Sequence, residues 1–464
     1  MKTPVALLVL MIAAMVAAQA QPRVLINDDF SANTRLWQVD DHKFVADGML
    51  TFNSTEEGDQ SFISHYLDAE RDFSISAELT QKEGLADTGF GLVWGVGNEN
   101  YNLFLISSNQ DYAIFSGDPA HLKNWKRSSL VRPLGQVNQL KVDHQAGKLI
   151  FSINGVVIEE HKTFPHFGSW IGFITLGQMQ LHVDNFLLLQ DQHIDLPEQV
   201  TTFAEKENLG QGVNSANDEL GPIISSDGKT LFFARQNVEE NIGGVYDDED
   251  IWVSHQEKEK WGTAKNMGRS INTGLADNLV AVSTDNNTML FEKDNSLAVR
   301  HRTETGWSEF EKIDLTFKNE SDYFVANISA DGKALIFSAK LKSNTFYDPK
   351  REEGDLYVCV KDKNNKWSPP INLGRTINTM GDETSPFLSA DGKTLYFASD
   401  GRPGYGYQDI FVARRNGDSW TDWSKPLNLG PGVNTPGFDA YYTLPASGDY
   451  AYFVSYDKGF GRAD

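Results

Sequence analysis

One seven-residue pattern recurs four times in the second half of the chain: NLGQGVN at 208–214, NMGRSIN at 266–272, NLGRTIN at 372–378 and NLGPGVN at 428–434. A tryptophan stands five positions before the first asparagine in three copies, as Trp261, Trp367 and Trp423. Thirteen positions after the second asparagine comes a turn: SSDGK at Asp227, STDNN at Asp285, SADGK at Asp391, and a degenerate PASGD at Ser447. A further unit shows at NISADGKALIF around Asp331, its asparagine motif eroded to FKNES. Apolar strands follow each turn (LFFA, MLFE, LIFS, LYFAS, YFVS), and then Asp250-Ile251, Asp355-Leu356 or Asp409-Ile410 opens another. Self-similarity at roughly 45–60 residues means units that bury their apolar faces only against neighbours, and room for four short strands in each predicts the blades of a β-propeller.

Most of the repeated chemistry is structural. Asp-Gly between two apolar strands supplies the φ > 0 residue of a tight hairpin. The tryptophans are expected to pack between blades, and the asparagines to bond the backbone of the loop crossing from one blade to the next. The stretch 372–415 closely resembles the TolB-like, WD40-like propeller repeat of bacterial envelope proteins. That resemblance spans all five units. The second and third depart from it, with Asp-Asn-Asn in place of Asp-Gly and Asn295-Ser296 in place of Asp-Ile. It implies a role in protein–protein complexes of the envelope and no catalysis.

Upstream, residues 24–191 alternate apolar and polar residues with period two, as at Phe73, Ile75, Ala77 and Leu79, and again around Leu103 and Leu105. Asn154-Gly155 marks a type I′ hairpin. Many strands with short turns predict a β-sandwich. The order of pieces, from Asp28-Asp29-Phe30 through DFSISAEL and GFGLVWG to Val183–Phe186, resembles the concanavalin-like, laminin-G-like jelly roll, whose members bind sugars or proteins. Trp94, Asn98, Asn100, Tyr101, Tyr112 and Trp125 are the candidate sugar-stacking residues, with core packing the competing reading for Trp94 and Tyr101. The fold class is therefore all-β, with a sandwich at 24–191, a linker at 192–199 and a propeller at 200–464.

Residues 1–20 carry Lys2, an apolar run from Val5 to Val16 and Ala18-Gln19-Ala20, the layout of a secretory signal leaving Gln21 first. The protein is expected to be exported: periplasmic, outer-membrane-associated or secreted, with no membrane span after signal removal. One cysteine, Cys359, rules out an internal disulfide framework and any CxxC site. Sixty-four acids against 41 bases, a net charge of −23, argue against nucleic acid and against an anionic membrane surface. Asp464 falls in the slot of the Asp-Ile strand of unit five, and residues 200–209 fit an outermost strand closing the ring. That leads to the expectation that the natural protein continues further.

Function is expected on one face of the propeller. Insertions between the second and third strands of the blades (235–250, 340–355, 399–409, 455–464) all lie on it, as binding faces do. It would present Tyr246, Asp247, Asp248, Tyr347, Arg351, Arg402, Tyr405, Tyr407, Tyr456 and Arg462, residue types suited to recognition. The acidic run 247–250 is a candidate for Ca²⁺, though without the ligand spacing of a calcium loop; no other metal or cofactor is implied. No G-x-S-x-G elbow, HExxH or phosphate-cradling loop occurs. Asp218, Glu219, Asp382, Glu383 and Asp439 precede innermost strands and would ring the channel, as a glycosidase needs. Their repetition fits architecture better than an asymmetric acid–base pair. The leading expectation is a non-catalytic binding or scaffold protein recognising an envelope protein or polysaccharide. A carbohydrate-active enzyme, glycosidase or lyase, with an appended sandwich is the alternative. Sugar binding by the jelly roll alone is the third.

Overall fold

The computed structural model describes residues 24–456 except 34, 36, 98–99, 199–205, 247–248, 259, 284–285, 294–295, 322–323, 348, 350–352, 446–447 and 449, and without the side chains of 293 and 296. The expected signal at 1–20, the closing strand over 200–205 and the slot at Asp464 lie outside the described residues. Among the described residues the structure is all-β: strands joined by turns, with 3₁₀ turns at Pro119–His121 and Gly244–Tyr246.

The first region is two antiparallel sheets. One runs in the order Val156–Lys162, Lys148–Ile153, Asn138–Gln145, Phe73–Gly84, Met179–Gln190, Met49–Ser54, Lys43–Ala46, with Val24–Asp28 pairing the second half of Met179–Gln190. The other runs Asp59–Ser64, Trp170–Thr175, Phe90–Gly97, Asn100–Ser107, Asp111–Gly117, Lys126–Arg127. Ile75, Ala77 and Leu79 from the first meet Leu92, Trp94 and Phe104 from the second in one core, as period-two alternation demands. The hairpin forms where expected: Asn154 and Gly155 take φ of 50° and 81°, and Ile153 pairs with Val156. Leu103 and Leu105 face the other way. They are fully buried on the outer side of their sheet among Phe62, Phe115, Tyr101 and Trp170.

The second region is five consecutive antiparallel sheets. Each of the first four begins with three meandering strands, such as Glu383–Leu388, Thr394–Ser399 and Asp409–Arg414, and ends in a short outer pairing, here Leu427–Asn428. In the first two sheets that outer strand is split or displaced along the third strand. The fifth has two described strands, Asp439–Thr443 and Tyr452–Ser455. The opening strands adjoin in a closed cycle: 219–224 beside 278–282, then 325–328, 383–388, 439–443, and back to 219–224.

The apolar clusters follow the same cycle. Phe232 and Ile251 of the first sheet pack with Met289 and Phe291 of the second. Val280 and Leu290 pack with Phe337, Ile336 and Leu356 with Phe397, and Ile410 with Tyr442. Finally Phe233 and Trp252 share a cluster with Tyr452. The expected tryptophan role holds: Trp261 meets the Tyr452 ring edge-on at 5.9 Å, across the fifth and first sheets.

The repeated turn also forms as expected. Ser225 Oγ donates to Asp227 Oδ1, which accepts the Lys229 N–H, while Gly228 takes φ 71°. Ser329, Asp331 and Gly332 repeat the arrangement. Where glycine is missing, Asn286 takes φ 56°, the residue that tolerates the left-handed region best after glycine.

Segment 192–199, expected as a linker, is pinned where it is described. Gln192 Nε2 donates to the Tyr66 carbonyl (3.0 Å), the Asp195 carbonyl accepts the Asn428 N–H (2.8 Å), and Asp195 pairs with Lys425. Beside it, Ser64 Oγ donates to Asp400 Oδ2 at 2.9 Å, so the sandwich rests on the 399–409 insertion.

Candidate functional site: the long-loop face

The three long insertions at 235–250, 340–355 and 399–409 are anchored at their bases by the repeat. Asp409 Oδ2 accepts the Tyr405 N–H and the Asn428 Nδ2–H, and Asp355 Oδ2 accepts those of Thr345 and Asn372. Asp250 Oδ2 accepts those of Ile242 and Asn266. In three of the four pairs the second asparagine, Asn272, Asn378 or Asn434, lies along the third strand, exchanging hydrogen bonds with the backbone of Ile251, Leu356 or Ile410. This corrects the expectation in one respect: the asparagines hold the third strand and its aspartate as well as their own loop.

The carboxylates before the innermost strands are likewise engaged. Glu383 accepts the Thr379 N–H and hydroxyl and the Ser399 hydroxyl. Asp439 accepts the same set from Thr435 and Ser455. Glu219 is bonded by Ser215 and, at 2.7 Å, by Arg235 Nε. Burial pushes Glu383 up to about 8, the cost of removing a carboxylate from water. Asp218 is half-buried beside Glu219.

Asp382 differs. Burial and the nearby Asp400 charge raise it to about 7. Its two oxygens accept the Gly354 N–H (2.7 Å) and Gln408 Nε2–H (3.1 Å), while its own N–H donates to Asp400 Oδ1. Glu292 is raised to about 8 by burial and Glu249. The Tyr441 phenol is raised by burial and by Glu249, Tyr456, Glu292 and Asp382. Tyr441 and Ser385, each two positions after its sheet's capping carboxylate, hold φ of 57° and 50° at a bulge in the innermost strand. Such bulges re-aim side chains. Sequence reading missed this pair, because a bulge has no signature in strands of five or six residues.

Of the candidates on the face, Tyr246 is almost wholly exposed, at 94%. Tyr347 is half-buried, its hydroxyl donating to Glu320 (2.8 Å). Arg402 is a correction: its Nη2 donates to the carbonyls of Thr376 and Ile377 (both 2.7 Å), with the guanidinium near the Phe397 and Phe411 rings. It holds the loop and does not project for a partner. Tyr405 and Tyr407 are half-buried in the same loop; the Tyr407 N–H donates to Gly437, and burial raises its phenol. Tyr456 packs 5.2 Å from Phe438. Asp247, Asp248, Arg351 and Arg462 lie outside the described residues, and with them most of the calcium candidate. Among the described residues no group of His, Cys, Asp or Glu is arranged to hold a metal.

Phe346 and Met380, which sequence reading passed over, are exposed at 41% and 47%. They border a cleft with Tyr347 and Glu353, and Arg375 lies 5.4 Å over the Phe346 ring. At about 10 Å³ the cleft holds one water, far below the few hundred Å³ that enclose a small substrate.

In the sandwich, Trp94 is 2% exposed and packs 6.1 Å from Phe151 inside the core, which removes it from any sugar surface. Tyr112 is also buried, its phenol pushed up to about 12 by burial and its bond to Glu159. Tyr101 and Asn100 are half-buried, with the Tyr101 ring 6.4 Å from Phe62. Trp125 is exposed at 37% and lies over Gly89, where a side chain would collide with its indole. Asn98 lies outside the described residues.

No helix among the described residues is long and apolar enough to cross a membrane. No family model matches the sequence, and no curated protein matches it. Solved structures resemble it over about a third of its length. The carbohydrate-binding module CBM66 from Bacillus subtilis is 13% identical, with 33% of this chain and 95% of that one covered and a TM-score of 0.27. A protein of unknown function with a galectin-like fold from Bacillus subtilis is 14% identical, at 37% and 97% coverage and a TM-score of 0.30. The catalytic domain of an endo-1,3-beta-glucanase (laminarinase) from Thermotoga petrophila RKU-1 is 8% identical, at 38% and 100% coverage and a TM-score of 0.30. At these scores the likenesses carry no argument about ligand or activity.

Proposed function

We propose that the chain is an exported, non-catalytic binding protein of the bacterial envelope. In this reading a jelly-roll module is seated on a five-bladed propeller of the TolB-like kind, which recognises a protein or polysaccharide partner through its long-loop face. One observation carries the non-catalytic reading: Glu219, Glu383 and Asp439 each accept the backbone N–H and hydroxyl of the residue four before them. A carboxylate used identically in successive sheets is a cap, whereas acid–base catalysis needs two carboxylates in unlike surroundings. Surface recognition follows from the shallow cleft, from Phe346 and Met380 exposed at its border, and from Tyr246 exposed on another of the long insertions.

The test is capture of partners from the native envelope on immobilised full-length protein, wild type against Phe346→Ala/Met380→Ala. Loss of the captured species in the double variant is expected, and unchanged capture would sink the long-loop face as the contact surface. The carbohydrate-active reading keeps one support, Asp382 at about 7, the range of a general acid. Glycan hydrolysis abolished by Asp382→Asn would establish it in place of the binding reading.

A further inference from the structure

A second cavity lies on the opposite side of the ring from the long loops. The turns 329–333 and 389–392 join the first and second strands of the third and fourth sheets, at the end away from the insertions. Between them runs a groove of about 300 Å³, the size of small-ligand sites.

Val360, Leu388 and Ala334 give it an apolar floor, and Trp420 forms one wall. Three cations line it: Lys333, Lys361 and Arg415. Among the described residues none of the three makes a salt bridge; Asp331 is the acid that acts on one, its carboxyl held below its ordinary value by the Ser329 hydroxyl and by the Lys333 charge. Lys361 Nζ lies 4.7 Å from the Trp367 ring, and the Arg415 guanidinium stacks 3.9 Å over Trp420. Arg415 Nε is buried and meets no acceptor among the described residues. A buried donor left unmade is costly, and in a chain of net charge −23 three bases lining one groove are conspicuous. Asp331 and Asp391 stand at the rim, held by the N–H groups of Lys333 and Lys393 in their turns.

We propose that this groove binds an acidic saccharide, a hydroxyl-rich ring carrying one carboxylate. The carboxylate goes to Lys333, Lys361 and Arg415, the two aspartates accept ring hydroxyls, and the apolar floor with the Trp420 edge takes the C–H face. Asp331 and Asp391 decide against a polyanion such as a nucleic acid or polyphosphate, whose charge they repel. The Arg415–Trp420 stack fixes a planar donor fork for a carboxylate.

Titration of the full-length protein with digalacturonate, maltose and inorganic sulfate, followed calorimetrically and by tryptophan fluorescence, tests this. Digalacturonate is expected to bind at least tenfold more tightly than maltose or sulfate. Lys361→Ala and Arg415→Met should each weaken it at least fivefold, and Lys363→Ala, on the neighbouring turn, should leave it unchanged. Maltose binding as well as digalacturonate, sulfate matching it, or no digalacturonate binding would each overturn the proposal on the wild-type protein alone. Since Phe346→Ala/Met380→Ala lies on the other face, it should not alter digalacturonate binding, which keeps this result separate from that of partner capture.

Discussion

Asn434 and Ile410 exchange two hydrogen bonds: the Ile410 N–H donates to Asn434 Oδ1 at 2.8 Å, and Asn434 Nδ2 donates to the Ile410 carbonyl at 2.9 Å. A side-chain amide here does what a neighbouring strand does in a ladder. Truncation leaves a buried N–H unpaired, at about 1–3 kcal/mol, while the Ile410 carbonyl keeps the Leu429 N–H at 3.0 Å. Asn434→Ala should therefore lower stability by about 2 kcal/mol in urea unfolding, and Asn378→Ala by a similar amount. A loss under about 0.5 kcal/mol in both would show the cap to be dispensable.

Stability should rise as the pH falls from 8 to 5. Asp382 and Asp409 are raised to about 7, and Glu292 and Glu383 to about 8. A carboxylate raised on folding binds its proton more tightly in the native state. Its contribution is complete below the unfolded value near 4 and is lost as pH climbs through the folded value. Melting temperature against pH checks this. Glu383→Gln should flatten the slope above pH 6, and a melting temperature that rises with pH would contradict the assignment.

Arg402→Ala should loosen the 399–409 insertion and leave the ring intact. It removes two bonds to the Thr376 and Ile377 carbonyls, a loss of about 1–2 kcal/mol. Hydrogen exchange should quicken within that loop and stay unchanged at 334–339. Exchange quickening throughout would mean that Arg402 holds the sheets and not the loop.

The seat of the sandwich should be separable from its fold. Ser64→Ala with Lys425→Ala removes the Asp400 and Asp195 side-chain contacts. Small-angle scattering is expected to show a larger radius of gyration with the circular dichroism unchanged. An identical scattering profile would place the hold between the two regions elsewhere.

Trp94 and Trp125 should behave as opposites. Trp94→Ala should destabilise the sandwich by about 3–5 kcal/mol, as aromatic deletions in cores do, whereas Trp125→Ala should shift stability by less than about 1 kcal/mol. Equal effects would refute the burial difference.

What was legible in the residues was local. Ser225, Asp227 and Gly228 form a turn within five positions, and Asn154-Gly155 declares its own backbone angles. Alternation disclosed strands at 90–97 and 100–107, yet it could not say which face looks inward, because Val93 and Leu103 on the outer side are as apolar as Trp94 on the inner. Asn372 joining Asp355, 17 positions away, was hidden for the reason that makes it useful: it closes a loop whose length varies. Ser64 reaching Asp400 across 336 positions has no sequence signal. Arg402 looked like a recognition residue because composition cannot distinguish an arginine facing solvent from one spent on carbonyls.

In the second region the apolar clusters straddle adjacent sheets, so each sheet shares its interior with its neighbours. Loosening one sheet therefore uncovers apolar surface on the next, and the five are expected to unfold in one cooperative step.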